Sequence, residues 1–187
     1  MVRIDRVTTR GGDRGDTSLG DGKRVRKDDP RIEAIGVVDE ANAVIGVLRL
    51  VTRNAREADE MLARVQNDLF DIGADLCRPG ESKDALRLGD AQVLRLETEI
   101  STMNEKLPKL TSFILPGGSP GSAYSHLARV VVRRAERVLV HLGDLNPTIL
   151  RYMNRLSDHL FVLGRVFSGV GEQEVLWVPA LFNNKLD

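Results

Sequence analysis

The sequence is short of cysteine, histidine, aromatic residues and net charge, and each shortage closes a class of function. A single cysteine, Cys77, among 187 residues excludes an internal disulfide and suits a reducing compartment. The three histidines, His126, His141 and His159, lack metal-ligand spacing, so with one thiol no zinc cluster is plausible. Lys plus Arg and Asp plus Glu each total 27, which removes the long-range basic field that gathers nucleic acid; any anion site is local. No run of about 18 apolar residues exists, and the start MVRIDRVTTRGGDRG has no apolar signal stretch. A cytoplasmic protein with no membrane and no nucleic-acid partner is expected. There is no nucleophile elbow either, so an acyl-transfer triad has nothing to start from. If the protein is an enzyme, its nucleophile comes from a ligand.

What remains is a chain rich in aliphatic residues, 42% hydrophobic with only 4% aromatic, a mixture that suits packed helices. Its length fits one domain over 1–187. Residues 1–29 carry glycines and charges without apolar periodicity and read as a loop or arm. Asp29-Pro30 opens a first amphipathic helix to about Val51. Asn54 is expected to cap a second, with Met61, Leu62, Val65, Leu69, Ile72 and Leu76 inward, and an exposed loop follows at 80–88. Asp90 is expected to cap a third, with Val93, Leu94, Leu96 and Ile100 inward. A fourth runs from Pro120 to Leu142-Gly143 and a fifth from Asn146-Pro147 to about Phe167. The helical part therefore occupies 30–169, and an extended tail, 170–187, packs back. No convincing strand-turn-strand pattern appears. The expected architecture is all-α, an antiparallel five-helix bundle with a glycine-rich N-terminal loop.

Polar residues interrupt this pattern in four places. On the fourth helix Ser122, His126, Arg129, Arg133, Glu136 and Arg137 share a face, opposite Leu127, Val131, Ala135, Val138 and Leu142, with Arg134 at the border. This is either a solvated stripe or one side of a site. Asn154, Ser157 and Asp158 stand mid-helix in YMNRLSDHLFVLGR, where short polar side chains favour competing backbone bonds, and a polar seam against those arginines would account for them. Asp39-Glu40 and Asn42 interrupt the first helix, and Asp39 is a candidate counter-ion for an arginine. The segment TRGGDRGDTSLGDGKRVRK combines glycines with hydroxyls and cations suited to phosphate, but it is neither a Walker A loop nor a Rossmann fingerprint.

The ordered blocks TRGGDRGDTSLGDG, GVVDEANAVIG, FILPGG, RVVVRRAER and NRLSDHLFVLGR resemble the PduO-type ATP:cob(I)alamin adenosyltransferases over nearly the whole chain. The resemblance implies a ferritin-like bundle assembled as a homotrimer, with ATP at each subunit interface and the corrinoid beside it. Cobalt(I) would attack the 5′ carbon of ATP to give adenosylcobalamin and triphosphate, with Mg²⁺ sharing the phosphate charge. ATP contacts carry over to Thr9, Arg10, Gly11, Gly12, Thr17, Ser18 and Lys27 of the arm, and to Arg133, Arg134, Ala135, Glu136, Arg137 and Asn154 of the helices. Phe113, Arg133 and Asn154 carry over as the catalytic set, with Phe113 crowding the lower corrin face. Arg129 and Asp39 match a pair made across subunits. A cob(II)alamin reductase and an adenosylcobalamin-dependent enzyme are the implied protein partners. Gly11 and Asp16 depart from the family pattern beside the expected phosphates, and Ala41 and Met153 replace common leucines. A binding module that delivers or senses the cofactor, and a purely structural bundle, remain the alternatives at this point.

Overall fold

The computed structural model describes residues 8, 10–80 and 85–181. Three helices begin on the cap-then-proline signal. Asp29 accepts the Arg31 N–H at 2.8 Å ahead of α1, Pro30–Thr52. Ser119 accepts the Ser122 N–H at 3.1 Å ahead of α4, Pro120–Leu142, and Asn146 accepts the Thr148 N–H at 3.1 Å ahead of α5, Pro147–Val166. Gly143, at φ 71°, turns the chain out of α4 as expected.

The other two helices start differently from expectation. Helix α2, Arg56–Leu76, follows Ala55, and no side chain caps it; Asn54 lies one residue too early. Helix α3, Asp90–Asn104, follows Gly89. Asp90 is its first residue, and its carboxylate receives Arg151 at 2.6 Å and the Thr148 hydroxyl at 3.3 Å instead of capping its own helix. Leu94 is 64% exposed rather than inward, while Glu99 and Met103 are buried on the same helix. Nor is the whole of 80–88 exposed. Leu88 belongs to the core, and the Asp75 carboxylate holds the end of this segment through Arg87 at 2.6 Å and the Leu88 N–H at 3.0 Å.

Cross-helix bonds fix the topology. Arg31 donates to the Leu76 carbonyl, Asn42 to that of Gln66 and Arg49 to Asp59, so α1 and α2 are antiparallel. Descending partners Asp68–Arg95 with Asp75–Arg87, and Glu136–Asn154 with Ser122–Ser168, make α2 and α3, then α4 and α5, antiparallel as well. Helices α3 and α5 run in the same direction, since Asp90 meets Arg151 and Glu99 meets His159. α1 packs on α2 and α4, α4 on α5, and α5 on α3. The result is the expected all-helical bundle.

Helix α4 sits between α1 and α5, which shifts its core face from the expected one. Gly121, Ser125, Ala128, Val132, Ala135 and Leu139 are buried, whereas Leu127 is 46% exposed. The inward positions are small because the neighbours come close. A Cβ on Gly121 would stand 2.8 Å from Phe167 Cγ, and one on Gly164 would stand 3.4 Å from the Ser125 side chain.

A buried polar cluster among α2, α3 and α5 escaped the sequence pattern. Asp68 accepts the Tyr152 hydroxyl at 2.7 Å and is paired with Arg95, while Glu99 accepts Arg64 at 2.8 Å and faces His159 at 3.0 Å. Burial raises the Asp68 carboxyl above its ordinary range, and burial beside Asp68 drives the Tyr152 phenol well up. For Glu99 burial pushes up too, but His159 and Arg64 together outweigh it and leave the carboxyl low.

Candidate active site

The N-terminal arm contains a hairpin, β1 Asp16–Ser18 paired antiparallel with β2 Arg24–Arg26, where no strand was expected. Three-residue strands reading DTS and RVR carry no apolar alternation, so backbone pairing and the Gly22 turn at φ 85° make them. Asp16 pairs with Arg26, Thr17 with Val25 and Ser18 with Arg24. Successive residues of a strand face opposite sides, so the Thr17 and Ser18 side chains lie on opposite faces of the hairpin. Asp16 lies beside Arg26 in the register, but the Arg26 guanidinium is paired with Asp28 at 3.1 Å, and among the described residues no ion pair joins it to Asp16.

Ahead of the hairpin, Arg10, at φ 58°, and Gly15, at φ 90°, curl residues 10–15 into a tight turn. The Asp13 N–H donates to Arg10 O at 3.3 Å, the Gly15 N–H to Gly12 O at 3.2 Å and the Lys27 N–H to Gly15 O at 2.8 Å. The Lys27 ammonium folds over Gly12, where an added Cβ would meet Nζ at 3.1 Å, so glycine there admits the cation. Arg10, Gly11, Gly12 and Lys27 are thus gathered; Thr9 lies outside the described residues. The arm docks through buried Leu19 and the Gly20 N–H, which donates to the Cys77 carbonyl at 2.9 Å at the end of α2.

The helical residues form a separate group. Arg133 and Arg137 are exposed on α4, and Arg137 donates to the Arg133 carbonyl at 3.1 Å. Arg134 is paired with Glu40 of α1, so the first-helix carboxylate that meets an arginine within the chain is Glu40. Ala135 is fully buried, which keeps its methyl group away from any ligand. Asn154 donates to Glu136 at 3.1 Å and accepts from Arg155. The expected seam therefore joins α5 to a glutamate of α4 rather than to its arginines. Ser157 is buried and donates back to the Asn154 carbonyl, and Asp158 meets Arg155 at 3.1 Å. Asn154 opens onto a groove of about 790 Å³ between α3 and α5, lined also by Leu94, Leu150 and Arg155.

Arg129 is half-buried, and its Nε has no hydrogen-bond partner among the described residues. Burial, then the Arg133 charge, lowers its pKa. Asp39 is exposed one residue from Glu40 and enters no ion pair among the described residues.

At the far end of α4 stands an aromatic platform. Residues 113–115 and 175–177 run as a short antiparallel ribbon: the Leu115 N–H donates to Val175 O at 2.8 Å and the Trp177 N–H to Phe113 O at 2.7 Å. Phe113 is 77% exposed, and its ring lies 6.1 Å from that of Trp177. The tail is held by an ion pair between Arg165 and Glu174 at 2.6 Å, each side chain 5% exposed. The tail thus packs back as expected, but it leaves Trp177 beside Phe113, a neighbour that sequence alone did not single out. A tryptophan, the one in a chain only 4% aromatic, was the available signal.

Fold and site together define an all-helical bundle with a cation-bearing glycine arm at one end and an exposed aromatic platform at the other, joined by an arginine-rich helix. The cobalamin adenosyltransferase family model matches residues 7–167, and the chain belongs to that family. It is 46% identical to the cobalamin adenosyltransferase of Cupriavidus metallidurans, covering 94% of this chain and 95% of that protein. It is 39% identical to the corrinoid adenosyltransferase of Bacillus subtilis, covering 90% and 91%. Among solved structures, a phenylalanine-to-alanine variant of the PduO-type ATP:corrinoid adenosyltransferase from Lactobacillus reuteri, complexed with cobalamin and ATP, superposes with a TM-score of 0.86 at 31% identity, covering 92% of this chain and 99% of that one.

Proposed function

We propose that the protein transfers the 5′-deoxyadenosyl group of ATP to cob(I)alamin, and the family match over residues 7–167 is the observation that carries this reading. The cobalt(I) electron pair attacks the 5′ carbon, the bond from that carbon to the triphosphate oxygen breaks, and its electrons leave with triphosphate. No side chain of the protein need act as nucleophile. Its work is to orient two substrates and to stabilise charge on the leaving group.

Arg133, Arg10 and Lys27 are suited to the triphosphate, and Asn154 with Glu136 to the nucleoside. Phe113, with Trp177 beside it, offers an apolar surface to the lower corrin face, displacing the lower axial ligand so that cobalt(I) is easier to reach. Among the described residues no group of three His, Cys, Asp or Glu could hold a metal ion. Mg²⁺ would be held largely through the triphosphate oxygens and waters and would share the phosphate charge.

We further propose that the site is completed by a neighbouring subunit in a homotrimer. Within one chain the arm docks at the α2 C-terminus, while Phe113 stands beyond the α4 N-terminus, and α4 alone spans about 34 Å. Among the described residues no hydrogen bond or ion pair joins residues 10–28 to α4 or α5. The arm of one subunit over the helices of the next brings the two groups together, and Asp39 supplies the carboxylate that Arg129 lacks.

The test is an anaerobic assay with chemically reduced cobalamin and MgATP, following the corrinoid spectrum and triphosphate release. Equimolar adenosylcobalamin and triphosphate are expected. Tight binding of both substrates without triphosphate release would overturn the enzyme in favour of a carrier or sensor.

A further inference from the structure

The arm that carries Arg10, Gly11 and Gly12 has almost no core of its own. Leu19 is its buried apolar residue, and Val25 is half-buried. Such a segment keeps its shape by polar links, and one side chain supplies the link between its two halves. Arg24, on β2, donates through Nη2 to the Gly11 carbonyl at 2.8 Å and through Nη1 to the Ser18 hydroxyl at 3.2 Å. A planar guanidinium fixes both acceptors at once, which a single-point donor cannot do. The other links of the turn lie between backbone groups three residues apart, or join it to Lys27. The Lys27 bond ties the C-terminal end of the turn, at Gly15, to the residue after β2; Arg24 is the side chain that ties its Gly11 end to the hairpin.

We propose that Arg24 is a positioning residue for the nucleotide: its two-pronged clamp holds the 10–15 turn in its triphosphate-ready shape before ATP arrives. The clamp also engages the Gly11 carbonyl, an acceptor that would otherwise repel phosphate oxygens if the turn rolled over. Arg24 thereby lowers the ordering that ATP binding must impose. The inference rests on the assignment of the arm to ATP.

Arg26 provides an internal control. It lies on the same strand and the same face as Arg24, carries the same charge, and spends it on Asp28 at 3.1 Å. Hydrogen exchange of residues 10–18 in the ATP-free full-length protein is the first measurement. Arg24→Ala and Arg24→Lys are expected to speed exchange there while Arg26→Ala leaves it unchanged. In the adenosylation assay Arg24→Ala is expected to raise the KM for ATP about tenfold, the scale of one charge-assisted hydrogen bond, with kcat and the KM for corrinoid within about twofold. Unchanged exchange in Arg24→Ala with a raised ATP KM would overturn the proposal and make Arg24 a direct phosphate contact. Faster exchange with an unchanged KM would overturn it as well, leaving the clamp without a role in nucleotide binding. The exchange result stands even if the enzyme assignment fails, so the two failures are distinguishable.

Discussion

Arg133 has no ion-pair partner among the described residues, projects into solvent from a well-anchored helix, and so can be removed without disturbing the core. Arg133→Ala is expected to leave the melting temperature nearly unchanged. Its kcat/KM should fall by roughly two orders of magnitude, the scale on which one preorganised charge at a developing anion acts; a variant that turns over normally would remove Arg133 from the site. Phe113→Ala should likewise spare the fold, since the ring is 77% exposed, and should spare ATP binding while slowing adenosylation of complete cobalamin. Equilibrium binding of ATP beside single-turnover rates separates those effects. His126 gives a prediction of a different kind. Burial, then the Arg129 charge, lowers its pKa below the ordinary 6.5, with Glu174 opposing weakly. The unfolded chain therefore takes up the proton first. The stability that neutral His126 contributes is present above pH 6.5 and is lost as pH falls from there towards the folded value. Melting temperatures between pH 7.5 and 5.5 should fall, and His126→Asn should flatten that slope even though it lowers stability throughout.

Whole elements show how much of this was legible beforehand. Asp29-Pro30 and Asn146-Pro147 announce α1 and α5, and Pro120 the start of α4, because an N-cap and a proline at the first turn act locally; the Ser119 cap was seen only in the structure. Ala55 and Gly89 announce nothing: α2 and α3 begin where packing and a bond such as Asp90–Arg151 place them. The hairpin was invisible for a related reason, since backbone pairing leaves no pattern in DTS or RVR. The site residues of α4 stood out as a polar stripe. Asp68 and Glu99 did not, because a carboxylate aimed at Tyr152 or His159 looks in sequence like one aimed at water. The tail is held by a link of that hidden sort. Glu174→Ala leaves the buried Arg165 without its counter-ion and is expected to destabilise the protein by about 3 kcal/mol. A lower urea midpoint, together with faster proteolysis around 172–178, is the measurement.

At the scale of the molecule, the proposed homotrimer is tested at Asp39 of α1, exposed and in no ion pair among the described residues, and at Arg129 of α4, whose Nε has no partner among them. Asp39→Arg and Arg129→Asp should each break a trimer into smaller species by light scattering and raise the KM for ATP. Combining the two should restore the trimer, because the pair is only reversed. Single variants that both remain trimeric, or a double variant that stays dissociated, would dismiss the pair. The packing order carries one more consequence. Helix α1 buries Ala34, Val37, Ala41 and Ile45 in a core completed by α4, and roughly 70 residues lie between the end of α1 and the start of α4, which at 5–20 residues per second is several seconds of synthesis. During that interval the ribosome holds a helical hairpin with one apolar side bare. The nascent chain thus meets the cell's chaperones as an unfinished surface well before it can meet either substrate.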